Sequence, residues 1–471
     1  MFGKKQHKTS SKIQAYKSRL KGLSKLQYLF FKKQARISKD LYNQALYTFK
    51  ETKKHKGEWL SYPQMDRVMK TCQNLEGNIN YRLMMGAGVA QQSLIKLFDN
   101  IKASVQAKKD YRINPSKYKS VPQFPHYLAK KGYFSLIFTR STFRLKGDEW
   151  CLYHKRKLVL KQAIPKYILG KRIQQIQLIY RYSHFEVVYM YEDNTEYEQV
   201  PKNNNYMGID LGINDLCTCV TNGIIPPFAV NGRGLKSKNQ FWNKRKAHLQ
   251  HRLDLEQNSY EKRAKAEGKK YHKQKWSKRL ERLTQKRNRQ IEDVLHKTTH
   301  LIEQVCLSEQ ISKVVIGNVQ TSMNELSKMG SRFNQKFRQI PLGKFVKKLR
   351  YKLERHGIEV IEREESYTSR ASFWDGDWMP TYGKISEQEK KKLKFSGVRR
   401  GGKYQLKSLF GGREEYIHAD VNGGYNILRK EFPDFSASDI PKEMIWYHPK
   451  TVVFYGGRLM TRQEKKRVLH P

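Results

Sequence analysis

The sequence predicts a protein of two parts: a helical region followed by an antiparallel β region, and then an α/β domain. Near residue 132 the spacing of apolar residues changes from three and four, typical of helices, to two, typical of strands. Beyond residue 205, three strand patterns are followed by alternating helix and strand patterns, which is the order of an α/β domain. The length of 471 residues allows about two to four domains.

The N-terminal half contains three regions of different pattern. Residues 1–34 are basic, residues 35–130 have the apolar spacing of helices, and residues 131–200 alternate as strands of an antiparallel sheet or small barrel. The polar stretch "NTEYEQVPKNNN", residues 194–205, predicts a linker. A new domain is therefore expected to begin near Tyr206.

The C-terminal half has a readable order of elements. They are strands at 206–213, 216–223 and 224–232, helices over 241–307, a strand at 311–319, a helix between Pro341 and Gly357, a strand at 358–366 and a helix from Asp420. The two prolines of the third strand predict an edge position. Three meandering strands followed by this alternation predict a ribonuclease H-like α/β domain.

The composition predicts a nucleic-acid partner. Lys and Arg number 93 against 43 Asp and Glu, a formal net charge of +50. A compact protein with this self-repulsion is stabilised by a polyanion, and each neutralised phosphate releases counterions. Residues 233–290 alone hold 20 Lys and Arg against 5 acids. Either a solvated helical surface or a phosphate-lined groove produces such a run, and the size of the imbalance favours the groove. The candidate nucleic-acid-binding residues are Lys244, Arg245, Lys246, Lys278, Arg279, Arg399 and Arg400.

The cysteines and the apolar runs predict an intracellular protein. Five cysteines include no Cys-x-x-Cys pair, so neither a disulfide framework nor a zinc ribbon is indicated. The basic start "MFGKKQHKTSSK" lacks the apolar core of a secretory signal, and no apolar run is long enough to span a bilayer. We expect the cytoplasm or nucleoid, or the nucleus in a eukaryotic host.

Acidic residues in three separated segments are candidates for catalysis. Asp210 lies in the apolar, glycine-flanked "MGIDLGIND", Asp420 begins a predicted helix, and Glu364 and Glu365 end a predicted strand. Taken singly, each has a structural alternative: a turn aspartate, an N-cap, or a solvated strand end. Together, in ribonuclease H order, they predict a site for divalent ions, because Mg²⁺ prefers hard oxygen ligands and two such ions cleave phosphodiesters.

Four segments carry a resemblance to a known family. "GIDLGIND", "VVIGNV", "REESYTS" and "ADVNGGYNILRK" resemble the RuvC nuclease segments of TnpB, the RNA-guided endonuclease family of insertion-sequence transposons. Fanzor proteins and miniature type V CRISPR effectors are related to this family. The resemblance implies a RuvC nuclease domain preceded by an N-terminal lobe. The implied divisions are a basic segment of the wedge domain at 1–34, a helical recognition domain at 35–130, a β-barrel wedge domain at 131–200, RuvC at 201–368 and 413–435, a target-nucleic-acid-binding insert at 369–412 and a C-terminal tail at 436–471.

The resemblance also implies the activity. It predicts an RNA-guided DNA endonuclease with a single RuvC site, two Mg²⁺ ions (Mn²⁺ could substitute), a guide RNA and a double-stranded DNA target with a short flanking motif. Asp210, Glu365 and Asp420 are the expected catalytic metal ligands. Two alternatives remain: an inactive RNA-guided DNA-binding repressor of the same fold, and a guide-independent nucleic-acid-binding or junction-cleaving protein.

The sequence departs from the commonest family pattern in two places. Gly317 stands where the second RuvC acid usually lies, and "REESYTS" resembles a variant with a relocated glutamate, which predicts Glu365, or Glu364 as second choice. Only one of the two can face the site, because strand side chains alternate. In the insert, Ser372 and Asp375 stand where zinc-binding cysteines are common, so no zinc is expected. The aromatic residues expected to form a small core there are Trp374, Trp378 and Tyr382.

Overall fold

The computed structural model describes most of the chain. The described residues are 12–118, 120–181, 183–269, 277–317, 338–381, 385–406, 416–445, 449–455 and 458–461. The chain divides into two compact units, Met1–Thr195 and Glu196–Pro471. The division falls inside the polar stretch predicted to be a linker, while Tyr271, Trp276, Asn318 and Tyr382 lie outside the described residues.

The helices of the first unit form the region predicted as helical. They are α1 (Lys25–Lys56), α2 (Tyr62–Met69), α3 (Asn80–Leu83) and α4 (Ala87–Ile113). Helix α1 begins ahead of residue 35, where the periodicity predicts its start. The reason is a capping box: Gln27 N–H donates to Ser24 Oγ at 3.1 Å, and Ser24 N–H donates to Gln27 Oε1 at 2.9 Å.

The strands of the first unit form two sheets. They are β1 (Lys12–Arg19), β2 (Leu136–Thr139), β3 (Arg144–Lys146), β4 (Glu149–His154), β5 (Lys157–Ala163), β6 (Ile173–Arg181) and β7 (His184–Asp193). The sheet orders are β1-β7-β6-β2 and β3-β4-β5. Strand β1 therefore joins the basic N-terminal segment to the β region. Trp150 of β4 is buried and donates its Nε1–H to the hydroxyl of Tyr189 on β7 at 3.1 Å, which links the two sheets.

The second unit is a mixed α/β domain, as predicted. Its strands are β8 (Tyr206–Leu211), β9 (Asp215–Thr221), β10 (Phe228–Asn231), β11 (Lys313–Gly317), β12 (Glu359–Arg363), β13 (Gly397–Arg400), β14 (Lys403–Leu406), β15 (Tyr416–His418), β16 (Lys450–Tyr455) and β17 (Arg458–Thr461). Its helices are α5 (Arg233–Ala266), α6 (Lys278–Ser308), α7 (Leu342–Glu354), α8 (Glu387–Lys392), α9 (Ala419–Glu431) and α10 (Lys442–Ile445).

The main sheet has the order β12-β11-β8-β9-β10-β16-β17. Strands β12, β11 and β8 run parallel, and β8, β9 and β10 form the antiparallel meander. The predicted edge position of β10 is wrong, because β10 pairs with both β9 and β16. Pro226 and Pro227 lie before the strand begins, so they remove no hydrogen bond from it. Strands β16 and β17 extend the sheet past residue 435, into the segment predicted to be a tail.

Two apolar clusters cover the sheet. Val314 and Ile316 belong to the cluster that contains α6 and α7 side chains, whereas Val315 belongs to the cluster that contains α9. This alternation explains why β11 is apolar from Val314 to Gly317, as the sequence predicts for a central parallel strand. No helix in the described part of the chain is long and apolar enough to cross a membrane.

Helices α6 and α7 share a buried carboxylate. Glu303, with its side chain 1% exposed, lies 3.4 Å from Lys352 Nζ, 3.0 Å from His300 Nδ1, and in an ion pair with Arg355. Burial by itself raises the pKa of Glu303, but the hydrogen bond from His300 and the charges of Lys352 and Arg355 outweigh it, so the pKa is lowered. Burial is also the main reason that the pKa of Lys352 is lowered, although Glu303 raises it. The cluster thus depends on an ionised Glu303.

Candidate functional site

Asp210 lies on β8, between β11 and β9. It is paired with Thr218 of β9, and the neighbouring pair Ile209–Ile316 fixes the register with β11. Gly317 follows Ile316 and therefore lies level with Asp210 on the adjacent strand. Asp210 therefore lies in the middle of the main sheet, on the strand that the sequence predicts. A carboxylate in this position needs a compensating partner.

Glycines allow α9 to approach β8 closely. A Cβ at Gly208 would lie 2.6 Å from the Gly424 carbonyl oxygen, and a Cβ at Gly423 would lie 2.8 Å from Asp210 Oδ2. Any larger residue at these positions would push the helix away from the strand. Asp420 lies in the first turn of α9, so this close packing brings it near Asp210.

Glu365 and Glu364 point to different partners. A Cβ at Gly317 would contact Glu365 Oε2, so the carboxylate of Glu365 fills the space beside the glycine. Glu364 instead accepts a hydrogen bond from Lys430 Nζ at 2.7 Å and another from Ser366 N–H at 2.8 Å. Glu365, the first choice from the sequence, therefore lies beside β11, which is the strand next to that of Asp210.

Two buried asparagines of α9 hold the segment that follows Glu365. Asn422 Nδ2 donates to the Ala371 carbonyl at 2.8 Å, and Asn426 Nδ2 donates to the Thr368 and Ala371 carbonyls at 2.9 and 2.8 Å. Thr368 Oγ1 in turn donates to the Glu365 carbonyl at 2.7 Å. The sequence reasoning missed this role. The signal was present, because two asparagines four residues apart occupy an otherwise apolar helix face.

The three acids influence one another electrostatically. Burial raises the pKa of Asp210 well above its usual range, and the negative charges of Asp420 and Glu365 raise it further, whereas Arg399 lowers it. Arg399 Nη2 donates to Asp420 Oδ1 at 2.6 Å. A buried carboxylate close to two others is a favourable place for a bound cation.

The donor set fits a hard divalent ion, although the side chains are not assembled around one. Carboxylate oxygens are the ligands that Mg²⁺ prefers. Among the described residues, however, no three His, Cys, Asp or Glu side chains converge closely enough to form a ready metal site. The Arg399–Asp420 ion pair accounts for part of this, because the guanidinium holds one carboxylate oxygen.

The segment around Ser372 and Asp375, where the resemblance led us to look for zinc-binding cysteines, is held by polar contacts. Asp377 accepts hydrogen bonds from the N–H groups of Ser372 and Ser396, at 2.7 and 2.9 Å, and Ser372 Oγ donates to Asp375 at 2.5 Å. The predicted role of Trp378 in a small core is wrong, since this side chain is 65% exposed. Phe373 packs there instead, stacked on Tyr425 with ring centroids 4.9 Å apart.

The predicted nucleic-acid-binding residues lie on three elements. Lys244, Arg245 and Lys246 are on α5, Lys278 and Arg279 begin α6, and Arg399 and Arg400 are on β13. All of them are exposed except Lys246, which lies 5.1 Å from the Trp242 ring centroid and is partly buried. Exposed side chains of this kind are accessible to phosphates.

Two family models match separate parts of the chain. Residues 186–323 match OrfB_IS605, described as a probable transposase, and residues 343–427 match the Cas12f1-like TNB domain. The resemblance to the TnpB family is confirmed. The two matches cover the TnpB-like RuvC segments that contain Asp210, Glu365 and Asp420. A comparison with curated proteins finds no match.

Solved structures similar to this TnpB-like chain include complexes of Cas12f and AacC2c1, all at low identity. The Cas12f1–sgRNA–target DNA complex is 15% identical, covering 88% of this chain and 99% of the other, with a TM-score of 0.31. A CRISPR-Cas12f ternary complex is 14% identical, covering 85% and 81%, with a TM-score of 0.32. The AacC2c1–sgRNA–extended non-target DNA complex is 10% identical, covering 94% and 72%, with a TM-score of 0.36. Similarity at this level is too weak to define the fold.

Proposed function

We propose that the protein is an RNA-guided DNA endonuclease that hydrolyses phosphodiester bonds of target DNA at a single Mg²⁺-dependent RuvC-type site. The observation that carries the proposal is electrostatic. Burial, and then the negative charges of Asp420 and Glu365 from two distant segments, raise the pKa of Asp210 well above its usual range. Three acids this close together repel one another unless a positive charge compensates them. A bound metal ion would supply that positive charge.

The proposed ligands are Asp210, Glu365 and Asp420. A bound divalent ion would activate water and stabilise the leaving oxygen. The chain's own groups orient these ligands: the close α9–β8 contact places Asp420, and Asn426 fixes the turn after Glu365. Glu364 is disfavoured as a ligand because Lys430 already neutralises it.

The proposed partners are a guide RNA and double-stranded target DNA with a short flanking motif. The net charge of +50 supports a polyanionic partner. The matches to the OrfB_IS605 and Cas12f1-like TNB models support an RNA-guided system. In guided systems base pairing reads the target sequence, so the protein needs no groove-reading helix of its own.

The test is Asp210→Asn in the full chain, purified with its copurifying RNA. Cleavage of a target complementary to that RNA should be abolished in Mg²⁺, while the amount of bound RNA stays unchanged. Without divalent ions, the variant should also melt at a higher temperature than wild type, because a repelled buried charge is gone. Asp434→Asn, at an exposed acid, is the matched control and should leave all three readouts unchanged. Loss of RNA binding together with cleavage would indicate a structural role for Asp210.

Gly317, where an acid is usual, supports a second candidate: a non-cleaving RNA-guided repressor. Wild-type protein that binds its target tightly without cutting, in Mg²⁺ and in Mn²⁺, would establish the repressor. Removing the RNA without changing target choice would establish guide-independent binding instead.

A further inference from the structure

Exposed aromatic side chains gather on one side of the helices of the first unit. Tyr47, Trp59 and Tyr127 are 58%, 55% and 48% exposed. Apolar groups on the surface of a soluble protein are normally scattered, and a cluster marks a binding site. We call these three residues, with Lys50, Lys53 and Phe124, the aromatic–lysine patch.

The rings of Trp59 and Phe124 are nearly parallel to each other and rest on Phe49 of the core. Phe49, 4% exposed, stacks under Trp59 with centroids 4.8 Å apart. Phe124 lies 6.2 Å from Trp59 at an interplanar angle of 23°. Because the core supports Trp59 through Phe49 and the side chain is still half exposed, the indole presents apolar surface to solvent.

Two lysines place positive charge against these rings. Lys50 Nζ lies 4.6 Å from the Tyr127 centroid and 5.8 Å from that of Phe124. Lys53 Nζ lies 5.1 Å from the Trp59 centroid and donates a hydrogen bond to the Gly57 carbonyl at 2.5 Å. Cation–π attraction therefore holds both ammonium groups beside apolar surface, and the hydrogen bond to Gly57 further restricts that of Lys53.

The segment that carries Tyr127 is fixed to α1 by hydrogen bonds. Asn43 Nδ2 donates to the Leu128 carbonyl at 2.9 Å, and Leu128 N–H donates to Asn43 Oδ1 at 2.8 Å. Lys39 Nζ donates to the Lys130 carbonyl at 3.0 Å. Since the rings are held in place before binding, little conformational entropy is lost when a ligand stacks on them.

We propose that the aromatic–lysine patch binds unpaired nucleotides of an RNA or DNA strand. Bases would stack on Trp59 and Tyr127, while Lys50 and Lys53 would neutralise the adjoining phosphates. A purely apolar protein partner fits less well, because it would desolvate both ammonium groups without compensation. The site belongs to the first unit and requires no nuclease activity, so it stands or falls independently of the proposed cleavage.

Binding is measured on the full-length, RNA-stripped protein. The probes are a labelled oligouridine strand and a DNA duplex of equal length, in salt of about 0.5 M, where diffuse phosphate attraction is suppressed but stacking persists. Trp59→Ala/Tyr127→Ala should weaken strand binding by about tenfold or more and leave duplex binding unchanged. Trp59→Phe should retain most of the strand binding. Tyr351→Ala, a 42% exposed ring on α7, is the matched control. Equal losses for both probes, or no loss, would overturn the proposal.

A second experiment needs no variant and so does not depend on how the double variant folds. Wild-type protein is crosslinked by light to an oligonucleotide that carries 5-iodouridine, and the joined peptides are identified by mass spectrometry. Peptides containing Trp59 or Tyr127 are expected. Crosslinks exclusively at other positions would reject the nucleotide site and would indicate that the aromatic–lysine patch contacts a protein instead.

Discussion

Gly317→Ala tests whether the relocated Glu365 supplies the catalytic carboxylate. The new Cβ would contact Glu365 Oε2, lie 3.4 Å from Glu365 Cδ and lie 3.1 Å from Ile427 Cδ1. Ordinary carbon contacts are about 3.5–4.0 Å, so the carboxylate must move by about 1 Å. A displacement of this size costs about 100-fold in rate, or about 2.7 kcal/mol of transition-state stabilisation. Overpacking should also lower the free energy of unfolding by about 1–3 kcal/mol.

The assay measures single-turnover cleavage of the guided target in Mg²⁺, with thermal unfolding and copurifying RNA measured on the same samples. Gly343→Ala is the matched control, because nothing lies within 4 Å of its new Cβ. It should cleave like wild type and be equally or slightly more stable. Gly317→Ala cleaving at the wild-type rate would refute the placement of the catalytic carboxylate beside Gly317. The exchange Gly317→Glu/Glu365→Ala should recover part of the activity, since both positions reach the same space.

The remaining predictions concern charges. Glu365→Gln should abolish cleavage. Glu364→Gln breaks the ion pair with Lys430, so it should change the cleavage rate by less than about tenfold and lower the free energy of unfolding by about 1 kcal/mol. Both variants are compared in one cleavage assay and one melting experiment, and an equal loss of cleavage would contradict the assignment of Glu365. Glu303→Gln should lower the free energy of unfolding at pH 7 by about 3–5 kcal/mol, because Lys352 is left buried without its carboxylate. Since the pKa of Glu303 is lowered by folding, its contribution is present above the unfolded value of about 4.3 and is lost as pH falls through the folded value. Denaturant unfolding at several pH values should therefore show a difference between wild type and Glu303→Gln that shrinks in acid, and a difference that is constant with pH would contradict the ion-pair interpretation.

The sequence by itself predicted the mixed α/β domain, the strand that contains Asp210 and the helix that begins near Asp420. It was wrong to place Glu364 and Glu365 at the end of a strand, because β12 ends at Arg363 and both glutamates follow it. Apolar periodicity is a local property, so the strand around Asp210 and the helix beginning near Asp420 could be read directly. The choice of Glu365 over Glu364 also came from the sequence, through resemblance to a family variant rather than through geometry. The charge imbalance predicted a polyanionic partner without any coordinates.

Contacts between residues that are distant in the chain decided which of these residues lie together. Asn426 holds the turn after Glu365, Arg399 pairs with Asp420, and β16 covers the edge of β10. These contacts join segments that are about 20 to more than 200 residues apart in the chain. Local patterns carry no information about which segments meet, because pairing depends on the packing of the whole sheet. The sequence therefore determined which residues are chemically able to act, and the tertiary structure decided which of them lie together and which are neutralised by a neighbour.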